Sequence, residues 1–129
     1  MRITSENIAQ LLDNQIFVFG SNERGVHGAG AAKLAMMWGA KYGQGYGLQG
    51  QTFAIPTKDW NIKTLTLNEI KVYVDKFIEF AKTYDTLDFL VTKIGCGLAG
   101  YKVEDIAPMF KECKDLDNIY LPIEFYDCY

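Results

Sequence analysis

Four short strand-like runs alternate with segments of helical pattern along the chain, and this alternation constrains the fold more than any other feature. The runs are Ile16–Phe19, Thr52–Ile55, Asp88–Ile94 and Ile119–Leu121. Short, largely apolar runs of this kind are typical of strands buried on both faces, as in parallel sheets. Helical crossovers between such strands predict an α/β fold of three layers, in which helices flank a mostly parallel or mixed central sheet.

The helical segments differ in the strength of their pattern. Thr66–Tyr84 is the clearest, because Thr66 and Glu69 have capping-box spacing and apolar residues recur with the period of a helix. We also predict helices over Ser5–Asp13, Ala31–Trp38 and about Val103–Cys113. In the last of these, Pro108 suits a first turn but would kink the helix further on. The aromatic C-terminal tail is expected to pack as an edge.

The composition fits a single domain over residues 1–129. The length is close to the commonest domain size. With 49% hydrophobic and 22% charged residues, wholesale disorder is not expected. The net charge of −3 and the absence of a Lys/Arg run argue against a basic face that follows a nucleic-acid backbone.

The absence of several sequence features bears on the cellular compartment and on cofactor binding. No apolar run approaches the roughly 18 residues that span a bilayer, and the N-terminus has no signal-peptide core. Cys96, Cys113 and Cys128 form no CxxC pair, and the single His27 cannot complete a histidine-rich metal cluster. We therefore expect a cytoplasmic monomer with free thiols, no membrane contact, no metal and no cofactor.

Glycine is concentrated in two windows of the sequence. Nine of the 12 glycines lie within Gly20–Gly50, and the other three are Gly95, Gly97 and Gly100. Both windows begin where a predicted strand ends and lead towards a helix, the edge at which open α/β sheets bind ligands. Exposed amides at a helix N-terminus favour an anion such as a diphosphate. Ordinary tight turns also use glycine, but two such turns at one edge favour a ligand site.

The later part of the first window contains the letters of two nucleotide motifs without their structural context. Gly45–Gly50 matches GxGxxG, but it precedes a strand instead of opening a helix. Gln51 stands where a P-loop has its lysine. We therefore interpret Gly39–Gly50 as a connector or a mobile rim.

Polar candidates follow each of the first three strands. They are Ser21, Asn22, Thr57, Lys58, Asp59, Cys96 and Tyr101. Each has a plain structural alternative: Asn22 could cap a turn, and Lys58 and Asp59 could form a solvated pair. Cys96 could fill a small buried space, and His27 could satisfy backbone groups.

These loops resemble those of the macrodomain superfamily, which binds ADP-ribose. Asn22 resembles the asparagine that closes the first-strand motif of the family, and His27–Ala32 resembles the glycine-rich turn into its first site helix. Ile94–Tyr101 is the most specific match, because it resembles the diphosphate loop. Its Ile-Gly-Cys-Gly core is similar to that of terminal ADP-ribose glycohydrolases and DNA-ADP-ribose-removing antitoxins. The resemblance extends from about Ile16 to Leu121.

The strand-end positions and the resemblance together imply a set of ligand-binding residues: Gly20, Ser21, Asn22, His27, Gly28, Ala29, Gly30, Ala31, Thr57, Gly95, Cys96, Gly97, Leu98, Ala99, Gly100 and Tyr101. In this scheme Gly95–Tyr101 cradles the diphosphate, Gly28–Ala32 forms the opposing wall, and Asn22 contacts the distal ribose. The same branch uses a lysine just after its second strand, which implies that Lys58 is catalytic in ADP-ribosyl glycohydrolysis, with help from Asp59. Such a lysine could attack C1 of the ribose or stabilise charge if the pocket lowers its pKa.

The chain departs from the family at positions that bear on function. Ala99 stands where some members have an aspartate and others an aromatic residue, a loss for which Tyr101 would partly compensate. Ala31 lies near the position of an acidic residue in the most familiar hydrolase macrodomains, and the aspartate that reads adenine has no clear counterpart.

Four functions therefore stand side by side. The first is binding of ADP-ribose or a similar nucleotide with hydrolysis of its linkage to protein or nucleic acid. The others are a non-catalytic ADP-ribose reader, a pocket retuned to another nucleotide metabolite, and a protein-interaction module that works through the tail from Phe125 to Tyr129.

Overall fold

The computed structural model describes all residues from Met1 to Tyr129 and contains one sheet of five strands. The strands are β1 (Gln15–Asn22), β2 (Gly47–Gln49), β3 (Thr52–Lys58), β4 (Asp88–Val91) and β5 (Ile119–Tyr120). Their order across the sheet is β2-β3-β1-β4-β5, and only the β2–β3 pair is antiparallel. The prediction of an α/β fold with a mostly parallel or mixed sheet is thus confirmed.

Helices cover both faces of this sheet. They are α1 (Gly30–Ala35), α2 (Leu67–Thr83), α3 (Val103–Ile106) and α4 (Ile123–Tyr126), and 3-10 segments follow α1 and α3. Side chains of β1 alternate between the two layers, because successive residues of a strand point to opposite faces. Phe17 and Phe19 pack with the alanines of α1, whereas Ile16 and Val18 belong to the larger core on the α2 face.

Helix α2 begins where its capping box predicts. The Thr66 hydroxyl accepts from the Glu69 amide at 3.2 Å, and a Glu69 carboxylate oxygen accepts from the Thr66 amide at 2.9 Å. Its buried stripe includes Phe77, whose ring lies 5.1 Å from that of Phe53 and 5.5 Å from that of Phe89. This packing anchors β3 and β4, the two strands that lead into the polar and glycine-rich loops.

The predicted helix over Ser5–Asp13 is wrong. The segment is irregular, and side chains elsewhere satisfy part of its backbone: Gln15 accepts from the Leu12 amide, and Gln51 donates to the Leu12 carbonyl, both at 2.9 Å. Just before it, the Thr4 amide donates to the Leu121 carbonyl at 2.9 Å, so the chain start lies beside the end of β5. Ile8 and Leu11 still pack against the apolar cluster on the α1 face, although the segment that carries them is not helical.

Three other predictions of local structure need correction. The segment Val103–Cys113 is α-helical only through α3, and a 3-10 segment with Pro108 in its first turn continues to Asp115. The tail forms the short helix α4 instead of an edge. Gly39–Gly50 contains the edge strand β2, which its three-residue length and glycines concealed. No helix of the structure has the length and apolar character needed to cross a membrane.

Candidate functional site

A cavity of about 380 Å³ opens where β1, β3 and β4 end. Most of the residues proposed for ligand binding or catalysis line it: Gly20, Ser21, Asn22, Gly28, Ala29, Gly30, Ala31, Thr57, Lys58, Gly95, Gly97, Leu98 and Ala99. These residues lie together because the three strands are parallel, which brings their carboxyl ends to one edge of the sheet. Loops that are far apart in sequence therefore share one cavity.

The loop after β4 presents unpartnered backbone donors on the wall of this cavity. Its interior is held by hydrogen bonds from the Gly100 amide to the Gly97 carbonyl at 3.0 Å and from the Tyr101 amide to the Gly95 carbonyl at 2.9 Å. The amides of Gly97, Leu98 and Ala99 have no partner within the chain, although all three residues line the cavity. The arrangement is suited to an anion that accepts several hydrogen bonds at once.

Cys96, Gly100 and Tyr101 lie outside the cavity lining. The Tyr101 hydroxyl donates to the Leu65 carbonyl at 2.7 Å, which ties the loop to the start of α2. Cys96 is half-buried, and burial raises the pKa of its thiol to about 11. That thiol is therefore protonated near neutral pH and is a poor nucleophile.

The polar side chains at the end of β1 bond to nearby backbone. Asn22 lines the cavity, but its Nδ2 donates to the Val26 carbonyl at 2.8 Å and its Oδ1 accepts from the Val26 amide at 3.0 Å. The Ser21 hydroxyl donates to the Gly45 carbonyl, and the Thr57 hydroxyl donates to the Ser21 carbonyl at 3.2 Å. Asn22 thus holds the turn after β1, which is the structural role predicted from the sequence as the alternative to ligand binding.

His27 lies beneath the glycine loop and not on the cavity wall. Its side chain is only 1% exposed, and its ring packs edge-on against that of Phe19 at 5.3 Å. Nε2 lies 3.2 Å from the Gln44 carbonyl and is therefore the protonated nitrogen, while Nδ1 has no partner. The residue joins the turn after β1 to the segment before β2.

Lys58 and Asp59, at the end of β3, differ in their surroundings and contacts. Lys58 lines the cavity, and its ammonium takes part in none of the ion pairs of the chain. Asp59 lies outside the lining, and its Oδ1 accepts from the amides of Asn61 at 2.8 Å and Lys63 at 3.0 Å. The carboxylate expected to assist Lys58 is therefore engaged in shaping a tight turn.

Several lining residues were not among the predicted site residues: Val26, Ile62, Thr92, Lys93 and Ile94. Thr92 and Lys93 directly follow β4, so the rule that ligands bind at strand ends could have found them. Lys93 is ion-paired with Glu124 of α4 at 2.7 Å. Ile62 carried no signal at all, because it is a lone apolar residue between turn-forming neighbours.

A second cavity of about 350 Å³ adjoins the first. The two share Ala31, Thr92 and Lys93. The second is mainly walled by the N-terminal segment and by apolar side chains that include Phe17 and Leu34. Together the cavities form a path along the sheet edge from Lys58 to the N-terminal segment.

Comparison with known proteins places the fold in a class. No family model matches the sequence, and neither does any curated protein. Two solved structures are similar, and with them the five-stranded mixed sheet between helical layers defines a macrodomain-like fold.

The first similar structure is Thermosipho africanus DarTG in complex with ADP-ribose, with a TM-score of 0.61 and 19% identity. The match covers 87% of this chain but only 39% of the DarTG chain. The second is a protein of unknown function from Bacteroides thetaiotaomicron, with a TM-score of 0.58 and 15% identity, covering 86% of this chain and 89% of that one. At such identities the likeness concerns the fold.

Proposed function

We propose that this protein binds ADP-ribose or a closely related nucleotide diphosphate across the two adjoining cavities. The observation that carries the proposal is the set of unpartnered amides at Gly97, Leu98 and Ala99 on the wall of the first cavity. Such amides can bind diphosphate oxygens without a charged side chain. The ADP-ribose in the DarTG complex, a protein of similar fold, supports this choice of ligand.

The opposing wall supplies further donors. The segment Gly28–Ala31 lines the same cavity, and Ala29, at the N-cap of α1, offers no side-chain cap to the first helical amides. These amides are left for another acceptor, since the first turn of a helix has no partners of its own. Lys58 adds a positive charge at the same end of the site.

The second cavity suits the base of the nucleotide. Its apolar walls include Phe17, Leu34 and Ile123, and it joins the first cavity through Ala31 and Thr92. Each volume, about 380 and 350 Å³, falls within the range of small-molecule pockets. A ligand with a base at one end and a diphosphate in the middle would use both cavities.

Binding is tested by calorimetry and thermal unfolding with ADP-ribose, ADP, AMP and NAD. A ligand at 100 times its Kd should add about 2.7 kcal/mol to the free energy of unfolding. Gly97→Asp should fold normally, because a Cβ there meets nothing within 4 Å, yet its carboxylate would repel the diphosphate and weaken ADP-ribose binding at least tenfold. Gly97→Asn is the neutral control of equal size and should bind more tightly than the aspartate variant. Absence of binding by the wild type would refute the proposal.

We propose further that Lys58 supports hydrolysis of an ADP-ribosyl glycosidic linkage. Its unpaired ammonium, which lines the same cavity, could stabilise charge on the leaving group while water attacks C1. Once deprotonated, the amine could instead attack C1 and break the glycosidic bond to the leaving group, and water would then hydrolyse the lysine adduct to release ADP-ribose. Release of ADP-ribose from modified protein and from modified DNA in a single turnover tests this. Lys58→Ala should abolish release while ADP-ribose still binds. Lys58→Arg keeps the positive charge but cannot attack C1 as a nucleophile. Retained activity in this variant would therefore favour stabilisation of the leaving group over nucleophilic attack.

The non-catalytic reader is the second candidate. Ala31 and Ala99 offer no carboxylate in the cavity, and the carboxylate of Asp59 is engaged in its turn. Tight ADP-ribose binding without release from any modified substrate would favour the reader over the hydrolase.

A further inference from the structure

Ile62 has a backbone conformation that its residue type disfavours. Its φ is +64°, and it is the only residue other than glycine with a positive φ in the structure. The left-handed region places Cβ too close to the carbonyl oxygen, and a β-branched side chain there is a genuine outlier. The surrounding turn must therefore impose the conformation.

Four hydrogen bonds centred on Asp59 impose it. Its Oδ1 accepts from the amides of Asn61 at 2.8 Å and Lys63 at 3.0 Å. Its amide donates to the Lys63 carbonyl at 2.7 Å, and its carbonyl accepts from the Ile62 amide at 3.0 Å. These bonds hold Asp59–Lys63, called the Asp59 turn below, around the strained residue.

Core packing does not account for the strain. The Ile62 side chain is 39% exposed and belongs to neither of the two apolar clusters of the fold. It lines the first cavity instead, as Lys58 does. A strained, exposed apolar residue that faces a cavity is a feature of ligand sites, since folding alone gains nothing from it.

The Asp59 turn is fixed against the wall that carries the unpartnered amides. The Thr64 hydroxyl, just after the turn, donates to the Ala99 carbonyl at 3.0 Å. On the other side of the turn, the Trp60 ring centroid lies 5.8 Å from the Arg24 guanidinium. No residue of the turn lines the second cavity. Ile62 therefore stands at the diphosphate end of the site, away from the cavity assigned to the base.

We propose that Ile62 is a specificity residue that packs against the sugar beyond the diphosphate, so that the site favours ADP-ribose over ADP. The proposal rests on the proposed nucleotide-binding function. Asp59 acts through Ile62, as a positioning residue whose carboxylate holds the side chain over the cavity.

Affinities for ADP-ribose and ADP are compared by calorimetry in Ile62→Gly and Ile62→Asn. Both replacements accept a left-handed backbone, so the free variants should unfold at or above the wild-type temperature. Both lose the apolar contact, so ADP-ribose should bind about tenfold more weakly while ADP stays within about twofold. Ile62→Val keeps a branched apolar side chain and should retain most of the preference.

Binding by the wild-type protein distinguishes a failure of the proposed nucleotide site from a failure of the proposed role of Ile62. If it binds neither ADP nor ADP-ribose, the nucleotide site is refuted and this inference with it. If it binds ADP-ribose and the glycine and asparagine variants keep the same ratio of affinities, the site stands and the role of Ile62 is refuted. A lower unfolding temperature with an unchanged ratio would make Ile62 a structural residue.

Discussion

Asn22 uses both ends of its side-chain amide to hold the turn after β1, through the amide and carbonyl of Val26. Asn22→Asp keeps the acceptor but replaces the donor with an oxygen that faces the Val26 carbonyl. We expect the free energy of unfolding to fall by about 1–3 kcal/mol, measured by urea titration. Asn61→Asp, the same change on the exposed Asp59 turn, is the control and should have little effect. Equal stability of the two variants would contradict this role.

The three thiols should differ in reactivity according to burial. Cys128 is exposed, whereas burial raises the pKa of Cys96 to about 11 and that of Cys113 to about 12. Alkylation requires the thiolate, so iodoacetamide at pH 7.5 should modify Cys128 first, Cys96 more slowly and Cys113 only on unfolding. Mass spectrometry of timed digests measures the order. Modification of Cys96 ahead of Cys128 would contradict this order and indicate an activated Cys96 thiol.

At the scale of elements, the sequence predicted best where the determinants are local. The capping box and apolar stripe of α2 involve neighbours three and four residues apart, and a continuous apolar run predicts β1. The Ser5–Asp13 segment has similar spacing, but its backbone is satisfied by Gln15 and Gln51, which no local pattern shows.

The candidate site was predictable to the extent that it follows strand ends. Glycine windows after β1 and β4 located two cavity walls, including Gly97, and the end of the second predicted strand located Lys58. The individual contacts depend on tertiary structure: nothing in the sequence distinguishes an aspartate that assists a lysine from one that caps a turn, as Asp59 does. Nor does it reveal the φ of Ile62, which the whole turn imposes.

The segment before β2 should be sensitive to substitution because it packs against the end of β1. A Cβ at Gly45 would overlap the Asn22 carbonyl oxygen and lie 2.8 Å from that of Glu23. We expect Gly45→Ala to lower the free energy of unfolding by more than about 2 kcal/mol, since backbone must move. Gly28→Ala, where the nearest atom is 4.0 Å away, is the control and should cost under about 0.5 kcal/mol. A tolerated Gly45→Ala would restore the interpretation of this segment as a mobile rim.

At the scale of the whole molecule, buried thiols and phenols should make the fold sensitive to alkali. Burial raises the pKa of Cys113 and of Tyr73 to about 12, the latter also through its hydrogen bond to Glu23, and it raises the pKa of Tyr129. Each pKa is higher in the folded than in the unfolded chain, so the unfolded state loses its protons first. Stability is therefore complete below about pH 9 and falls as the pH rises towards these folded-state values.

The contribution of Cys113 to this loss of stability in alkali can be measured separately. Its side chain is fully buried in the core behind α2. Between pH 9 and 10.5 its unfolded thiol ionises while the folded one does not, which removes about 2 kcal/mol of stability. Urea unfolding at pH 8 and pH 10.5 measures the fall in the wild type and in Cys113→Ala. The variant starts less stable, because it loses a core contact, but its fall should be smaller by about 2 kcal/mol. An equal fall in both proteins would mean that the Cys113 thiol ionises as readily in the fold as outside it.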